Sequence, residues 1–225
     1  DLSGKDLTGT ILKGADLTGA NLAGVDLSGK DLTGTILKGI DLSGKDLTGT
    51  ILKGADLTGA NLDGVDLSGK DLTGTILKGI DLSGKDLTGT ILKGADLTDA
   101  TLPSISLSDK NFQRTVFDGL DLSGKDLSKS SLWDTSFKNT NLENTNLRLA
   151  DFRAVDFTKI KNNSLAGADL ESASFLVANL SGVNLSNVIL VGTNFLQTNL
   201  SGQDFTVISE RSEERRVGKE CRSRW

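Results

Sequence analysis

The sequence predicts an all-β solenoid, a chain that coils around a filling of its own leucines. Two observations carry this expectation: Leu or Phe recurs every five residues, and Gly stands two residues after most of those positions. One series runs from Leu2, Leu7, Leu12, Leu17 and Leu22 to Phe157 without a miss. A second runs from Leu165, Leu170 and Phe175 to Phe205. Period five suits neither regular element. On an α-helix, five residues advance about 140° past a full turn, so the leucines would circle the axis. On a strand, an odd spacing sends successive leucines to opposite faces. A short extended piece followed by a corner, repeated every five residues, keeps them all on one side, and Gly permits the corner backbone.

The units DLTGA, NLAGV, ADLTG and ANLSG resemble the pentapeptide-repeat consensus A(D/N)Lxx, and the resemblance covers residues 1 to about 208. It implies a right-handed, four-sided β-helix with four pentads per coil. By that resemblance the chain forms about ten coils, a rod about 50 Å long at the spacing of neighbouring strands. The central Leu or Phe points inward, as does the residue two before it, and the other positions face solvent.

A longer period lies over the short one. Residues 1–40 and 41–80 are identical except for Ala23 against Asp63, and the copy continues through Thr98 before it decays. Forty residues is eight pentads, or two coils, the mark of tandem duplication or, as the rival reading, of misassembled repetitive reads. Pro103, the only proline, stands in the decayed zone. The spacing from Phe157 to Leu165 is eight residues instead of five, so Lys161, Asn162 and Asn163 are an insertion, expected as a small loop at a corner. The expected organisation is therefore residues 1–160 in a first register, 161–163 as the insertion, and 164–210 in a second register of the same solenoid. Residues 211–225 obey no repeat and resemble the conceptual translation of a sequencing adapter. They are expected to be a non-native tail, and Cys221 and Trp225 belong to it. Residue 1 is an Asp within a repeat, so a fragment is expected. Fused neighbouring domains or end-to-end association are left open. The compartment is left open too, with the cytoplasm as the default. No run of apolar residues reaches the length of a membrane-spanning helix.

Composition removes most chemistry. The sequence holds no His and a single Cys, so the repeats lack the commonest bases, thiolates and transition-metal ligands. Each Asp belongs to the repeat consensus. The stretch Gly24 to Asp31 nearly matches the phosphate-binding loop, but its last position is an anion and no strand–loop–helix context surrounds it. No catalytic, cofactor or metal residue is assigned, and the chain is expected not to be an enzyme.

What remains is surface. Residues twenty apart should stack. One face then carries the ladder Asp6, Asp26, Asp46, Asp66 and Asp86. The next carries Ile11, Asp31, Ile51, Asp71 and Ile91, and a third carries Asp16, Ile36, Asp56, Ile76 and Asp96. Lysines two residues after these isoleucines should reach the carboxylates of adjacent coils. Seven further lysines, including Lys5, Lys30, Lys45, Lys70 and Lys85, occupy the inward position two before Leu. They are expected to bury their stems and turn their heads out to water. The expected role is a structural or protein-interaction scaffold with an unnamed protein partner, the aspartate and isoleucine ladders being the candidate surface. The alternative is a DNA mimic, since members of the family so resembled bind type II topoisomerases. Duplex DNA carries one charge per about 1.7 Å of axis, a density the repeat body falls well short of. Nucleic acid itself is not an expected partner of a chain with net charge -5.

Overall fold

In a computed structural model of the chain, residues 1–203 and 205 are described, and they form two compact units divided between Ser104 and Ile105. Each unit is an all-β solenoid. Its extended backbone is spent one residue at a time, as isolated parallel bridges joining residues of successive coils. The tail at 211–225 lies outside the described residues.

In the unit Asp1–Ser104 the bridged pairs are Asp16 with Ile36, Asp31 with Ile51, Ile36 with Asp56, Asp41 with Asn61, Asp56 with Ile76, Asp71 with Ile91, Ile76 with Asp96 and Asp81 with Thr101. Every pair is twenty residues apart, so one coil takes four pentads. Within each pentad the sequence explains the corner. The amide of Thr8 donates to Asp6 Oδ1 at 2.8 Å, and that of Ser28 to Asp26 Oδ1 at 2.8 Å. These local bonds draw the chain into a turn. The turn then closes as the amide three residues after each leucine donates to the leucine carbonyl, as in Ala55 to Leu52 at 3.0 Å. Glycine is needed where coils approach most closely. Gly49 has φ +70, and a Cβ on it would lie 3.4 Å from the Gly29 Cα.

The leucines fill the centre. Leu32, Leu37, Leu42, Leu57, Leu72 and Leu77 are fully buried. Beside them run two columns of side-chain donors. The hydroxyl of Thr35 donates to the Leu12 carbonyl, that of Thr50 to Leu27, that of Thr75 to Leu52 and that of Thr90 to Leu67. Each carbonyl thus accepts twice, from its own turn and from the coil above, and a buried carbonyl has two lone pairs to satisfy. Four inward lysines do the same. Lys30 Nζ donates to the Leu7 carbonyl at 2.7 Å, Lys70 to Leu47 at 2.7 Å, Lys45 to Val25 at 3.1 Å, and Lys85 to Leu62 at 2.5 Å and Val65 at 3.2 Å. The expectation that these heads leave for water is corrected: they turn back onto the main chain, where backbone carbonyls replace the hydration of a half-buried ammonium. Lys5, on the first coil, is exposed.

The repeat turn fails at Pro103, which has no N–H to give to the side chain two residues before it. After the bridge at Thr101 no turn forms through Ile105, only bends at Ser104 and Ile105, and the two units divide there.

In the unit Ile105–Trp225 the offset is twenty from Asn111 with Ser131 to Ser131 with Asp151. It becomes twenty-three for Asn146 with Asp169, Asp151 with Ser174 and Asp156 with Asn179. It returns to twenty from Ser164 with Asn184 onward. The change is absorbed by two 3₁₀ turns, Phe157–Lys159 and Lys161–Asn163, while Phe157 and Leu165 both stay fully buried. Asn163 fastens the extra turn, its Nδ2 donating to the Gly182 carbonyl at 2.7 Å. Phenylalanines stack through this core. Phe117 lies over Phe137 at 5.6 Å between ring centres and Phe137 over Phe157 at 6.1 Å. Phe152 lies over Phe175 at 5.1 Å and Phe175 over Phe195 at 5.5 Å. Many corners here lack glycine, and Leu149, Ala154 and Val177 hold φ of 58, 59 and 53.

Two stability predictions follow from these contacts. Thr140 is fully buried and its hydroxyl donates to the Phe117 carbonyl at 2.7 Å. Thr140→Val should lower the free energy of unfolding by about 1 kcal/mol, measured by urea titration. Val177 is β-branched in the left-handed region, a conformation that strains it by about 1–2 kcal/mol. Val177→Gly should raise stability by about 0.5–1 kcal/mol after the loss of chain entropy is set against that relief.

Candidate functional site

Four columns of the residue just before each leucine line the surface of the unit Asp1–Ser104, and one of them, Asp1, Asn21, Asp41, Asn61 and Asp81, alternates Asp with Asn and is bridged from Asp41 to Asn61. On another, Ile11, Asp31, Ile51, Asp71 and Ile91 follow one another, with bridges from Asp31 to Ile51 and from Asp71 to Ile91. On the next, Asp16, Ile36, Asp56, Ile76 and Asp96 are bridged without a gap. The isoleucines differ in exposure: Ile11 is 86% exposed and Ile51 and Ile91 are each 44% exposed, whereas Ile36 and Ile76 are half-buried. The carboxylates between them are neutralised across coils. Lys38 Nζ lies 3.2 Å from Asp56, Lys53 2.8 Å from Asp71 and Lys78 3.1 Å from Asp96. At Asp56 burial raises the carboxyl pKa, but bonds from Thr58 and the Lys38 ammonium outweigh it and hold the carboxyl below its ordinary value. These pairs are half-exposed and each contributes little on its own.

The third kind of face is acidic. Asp6, Asp26, Asp46, Asp66 and Asp86 lie one above another, all exposed, and none of them forms a bridge. The corner bonds, which the other faces make as well, are present here too: the Gly29 amide donates to the Thr48 carbonyl and the Gly69 amide to the Thr88 carbonyl, both at 2.8 Å. No ion pair closes on Asp6, Asp26, Asp46 or Asp66 among the described residues. Each accepts the amide two residues on, at 2.8 Å. The hydroxyl and amide of Thr8, Ser28 and Thr48 hold the carboxyls of Asp6, Asp26 and Asp46 below the ordinary value. The amide of Ser68, then its hydroxyl, does so for Asp66. At Asp26 the neighbouring Asp46 pushes weakly the other way. The ladder is therefore a row of fixed negative charges spaced by about 4.8 Å, the strand separation.

All ten residues singled out in the sequence thus stand in ladders. Nothing in the repeat marks the aspartate face as the one without bridges, because the same consensus residues fill the bridged faces. Among the described residues there is no group of carboxylates, thiols or imidazoles arranged to hold a metal ion, and no helix long and apolar enough to cross a membrane.

The role of Asp26 in its turn can be tested apart from its charge. Asn21 and Asn61 occupy equivalent positions and accept the amides of Ala23 and Asp63 at 3.0 Å. Asp26→Asn should leave the melting temperature at neutral pH nearly unchanged, and Asp26→Ala should lower it. The folded pKa of Asp26 lies below the unfolded value of about 3.9. Its contribution is therefore present above that pH and fades as pH falls through the folded value. The gap between Asp26→Ala and the parent should narrow on acidification below about pH 4, followed by thermal melting across pH.

The profile described as Pentapeptide repeats matches in 8 copies, over residues 1–39, 31–69, 71–102, 130–161 and 178–206. Comparison with curated proteins finds no match. Among solved structures the chain is similar to HetL, a pentapeptide repeat protein involved in heterocyst differentiation regulation from the cyanobacterium Nostoc sp. strain PCC 7120. The identity is 30% over 83% of this chain and 85% of that one, with a TM-score of 0.44. It is also similar to QnrB1, a plasmid-mediated fluoroquinolone resistance protein, at 22% identity over 83% and 96% of the two chains, TM-score 0.32. A third is Rfr23, a pentapeptide repeat protein from the cyanobacterium Cyanothece 51142, at 23% identity over 64% and 88%, TM-score 0.25. With its profile matched over well more than half of its length, the chain belongs to the pentapeptide-repeat family.

Proposed function

We propose that the chain is a non-enzymatic scaffold whose acidic ladder, Asp6, Asp26, Asp46, Asp66 and Asp86, receives a protein partner through basic groups. The coils of each unit wind in this proposal as a right-handed, four-sided β-helix. The single observation that supports the interaction role is the contrast between faces. Lysines pair with Asp56, Asp71 and Asp96 across coils, while Asp6, Asp26, Asp46 and Asp66 form no ion pair among the described residues and feel Lys30 or Lys70 only weakly, from farther off. Fixed, like-signed charge on a rigid face serves encounter and orientation of an oppositely charged partner. The isoleucines Ile11, Ile51 and Ile91 on the adjoining face, with Ile36 and Ile76 beyond, supply apolar contact beside it.

The DNA-mimic reading is less well supported. One carboxylate per coil is one charge per about 4.8 Å, against about 1.7 Å in duplex DNA. In a supercoiling assay the full chain should leave a type II topoisomerase uninhibited at micromolar protein, and potent inhibition would turn the reading toward mimicry. Direct binding of a labelled nona-arginine peptide should be measurable by anisotropy at low salt. Asp26→Asn, Asp46→Asn and Asp66→Asn together should weaken it at least several-fold, and salt should weaken it further. Equal binding by the parent and the triple variant would remove the ladder from the interaction.

A further inference from the structure

The unit Asp1–Ser104 uses one segment, DLSGKDLTGTILKG, repeatedly, beginning at residues 1, 26, 41, 66 and 81. The steps between copies alternate between twenty-five and fifteen. With twenty residues to a coil, each copy is shifted by one face relative to the copy below it, forward in one coil and back in the next. Coils of two kinds therefore alternate, and the alternation governs what stacks inside. Lys30 and Lys70 stand in one inward column, with Thr50 between them and Thr10 and Thr90 at its ends. Lys5, Lys45 and Lys85 stand in another, with Val25 and Val65 between them. A third column reads Ala20, Ile40, Ala60, Ile80 and Ala100.

The contacts repeat every forty residues. Lys30 Nζ to the Leu7 carbonyl and Lys70 Nζ to the Leu47 carbonyl are both 2.7 Å. The Ile36 amide meets the Ala15 carbonyl and the Ile76 amide the Ala55 carbonyl, both at 2.9 Å. The Lys38–Asp56 and Lys78–Asp96 pairs are 3.2 and 3.1 Å. Removing residues 41–80 would seat the coil 81–100 on the coil 21–40, an interface already present between 61–80 and 81–100. Removing 41–60 alone would seat 61–80 on 21–40, two coils of the same kind. Lys70 would then stack on Lys30, half-buried ammonium on half-buried ammonium. Ile80 would stack on Ile40 where Ala60 had been, and Ile76 would take the place of Asp56, leaving Lys38 without its carboxylate.

We infer that this unit is a length-setting device whose smallest permitted step is two coils, because its inward lysines must never stack on one another. Adding or removing forty residues creates no new interface and changes the acidic ladder by two rungs, as Asp46 and Asp66 belong to the module 41–80. A step of one coil forces like charges together where water screens them poorly, and overfills the isoleucine column.

The test compares three full-length chains by urea and thermal unfolding: the parent, a deletion of 41–80 and a deletion of 41–60. The forty-residue deletion should fold with a cooperative transition and a midpoint near that of the parent. The twenty-residue deletion should unfold at lower urea, although it keeps twenty residues more. Lys70→Thr in the twenty-residue deletion restores the Thr that normally lies over Lys30, and should recover part of the lost midpoint. A forty-residue deletion that does not fold would overturn the inference. So would a twenty-residue deletion as stable as the forty-residue one, or a Lys70→Thr change that recovers nothing.

Discussion

The carbonyl of the inward leucine is the group on which each unit depends. It accepts the amide that closes its own corner, and in the next coil a side chain twenty-three residues later donates to it again. Thr35 reaches Leu12 in this way, Thr145 reaches Leu122 and Thr198 reaches Phe175. Burying a leucine in a solenoid necessarily buries its carbonyl, and a buried carbonyl left short of donors is destabilising. The inner position two before the leucine answers that need. Its residue is an apolar filler, such as Ala60 or Ile40, or a donor long or short enough to reach one coil down.

That requirement accounts for the polar residues inside. Threonine, serine, glutamine and lysine share the position because each can donate, not because they are alike in size or charge. Lysine brings a charge with its donor, and the carbonyls that receive it cannot neutralise it. The compensation lies in spacing. Each inward lysine is kept two coils from the next in its column, and outer lysines such as Lys53 are aimed at carboxylates on the following coil. The inner and outer charge patterns share one period of forty residues because both come from the same segment laid on alternate faces.

Much of this was legible in the sequence. The five-residue spacing named the buried leucines one by one, and Lys161, Asn162 and Asn163 were visible as the place where the stack must absorb three residues. The lysine–aspartate pairs between coils were legible too, since a stacking offset of twenty puts Lys38 beside Asp56. The destination of Lys30, Lys45, Lys70 and Lys85 was not. A lysine at a corner can bury its stem either way, and only the position of a carbonyl in another coil decides where the head goes. The unbridged state of the Asp6 to Asp86 face was not legible either. Its consensus residues are those of the bridged faces, and the difference arises where whole coils settle against one another.

The acidic face is best understood from that settling. On the bridged faces two coils are joined by amide–carbonyl bonds in mid-face, and the alternation of Asp with Ile or Asn separates like charges by a full coil. On the acidic face every rung is Asp, so neighbouring carboxylates repel, and from Asp6 to Asp66 no rung is bridged among the described residues, which leaves the corner bonds that every face makes. At about 5 Å in water such repulsion is roughly 0.8 kcal/mol per pair, small against the burial of a leucine at about 2 kcal/mol. The leucine core therefore sets the pitch on every face, and the carboxylates are held at that pitch although they gain nothing from it. Their own turns fix them further, each taking the amide and hydroxyl of the residue two positions on. A row of charges so fixed loses little conformational freedom when a partner arrives, and this preorganisation, more than the number of charges, is what suits the face to recognition.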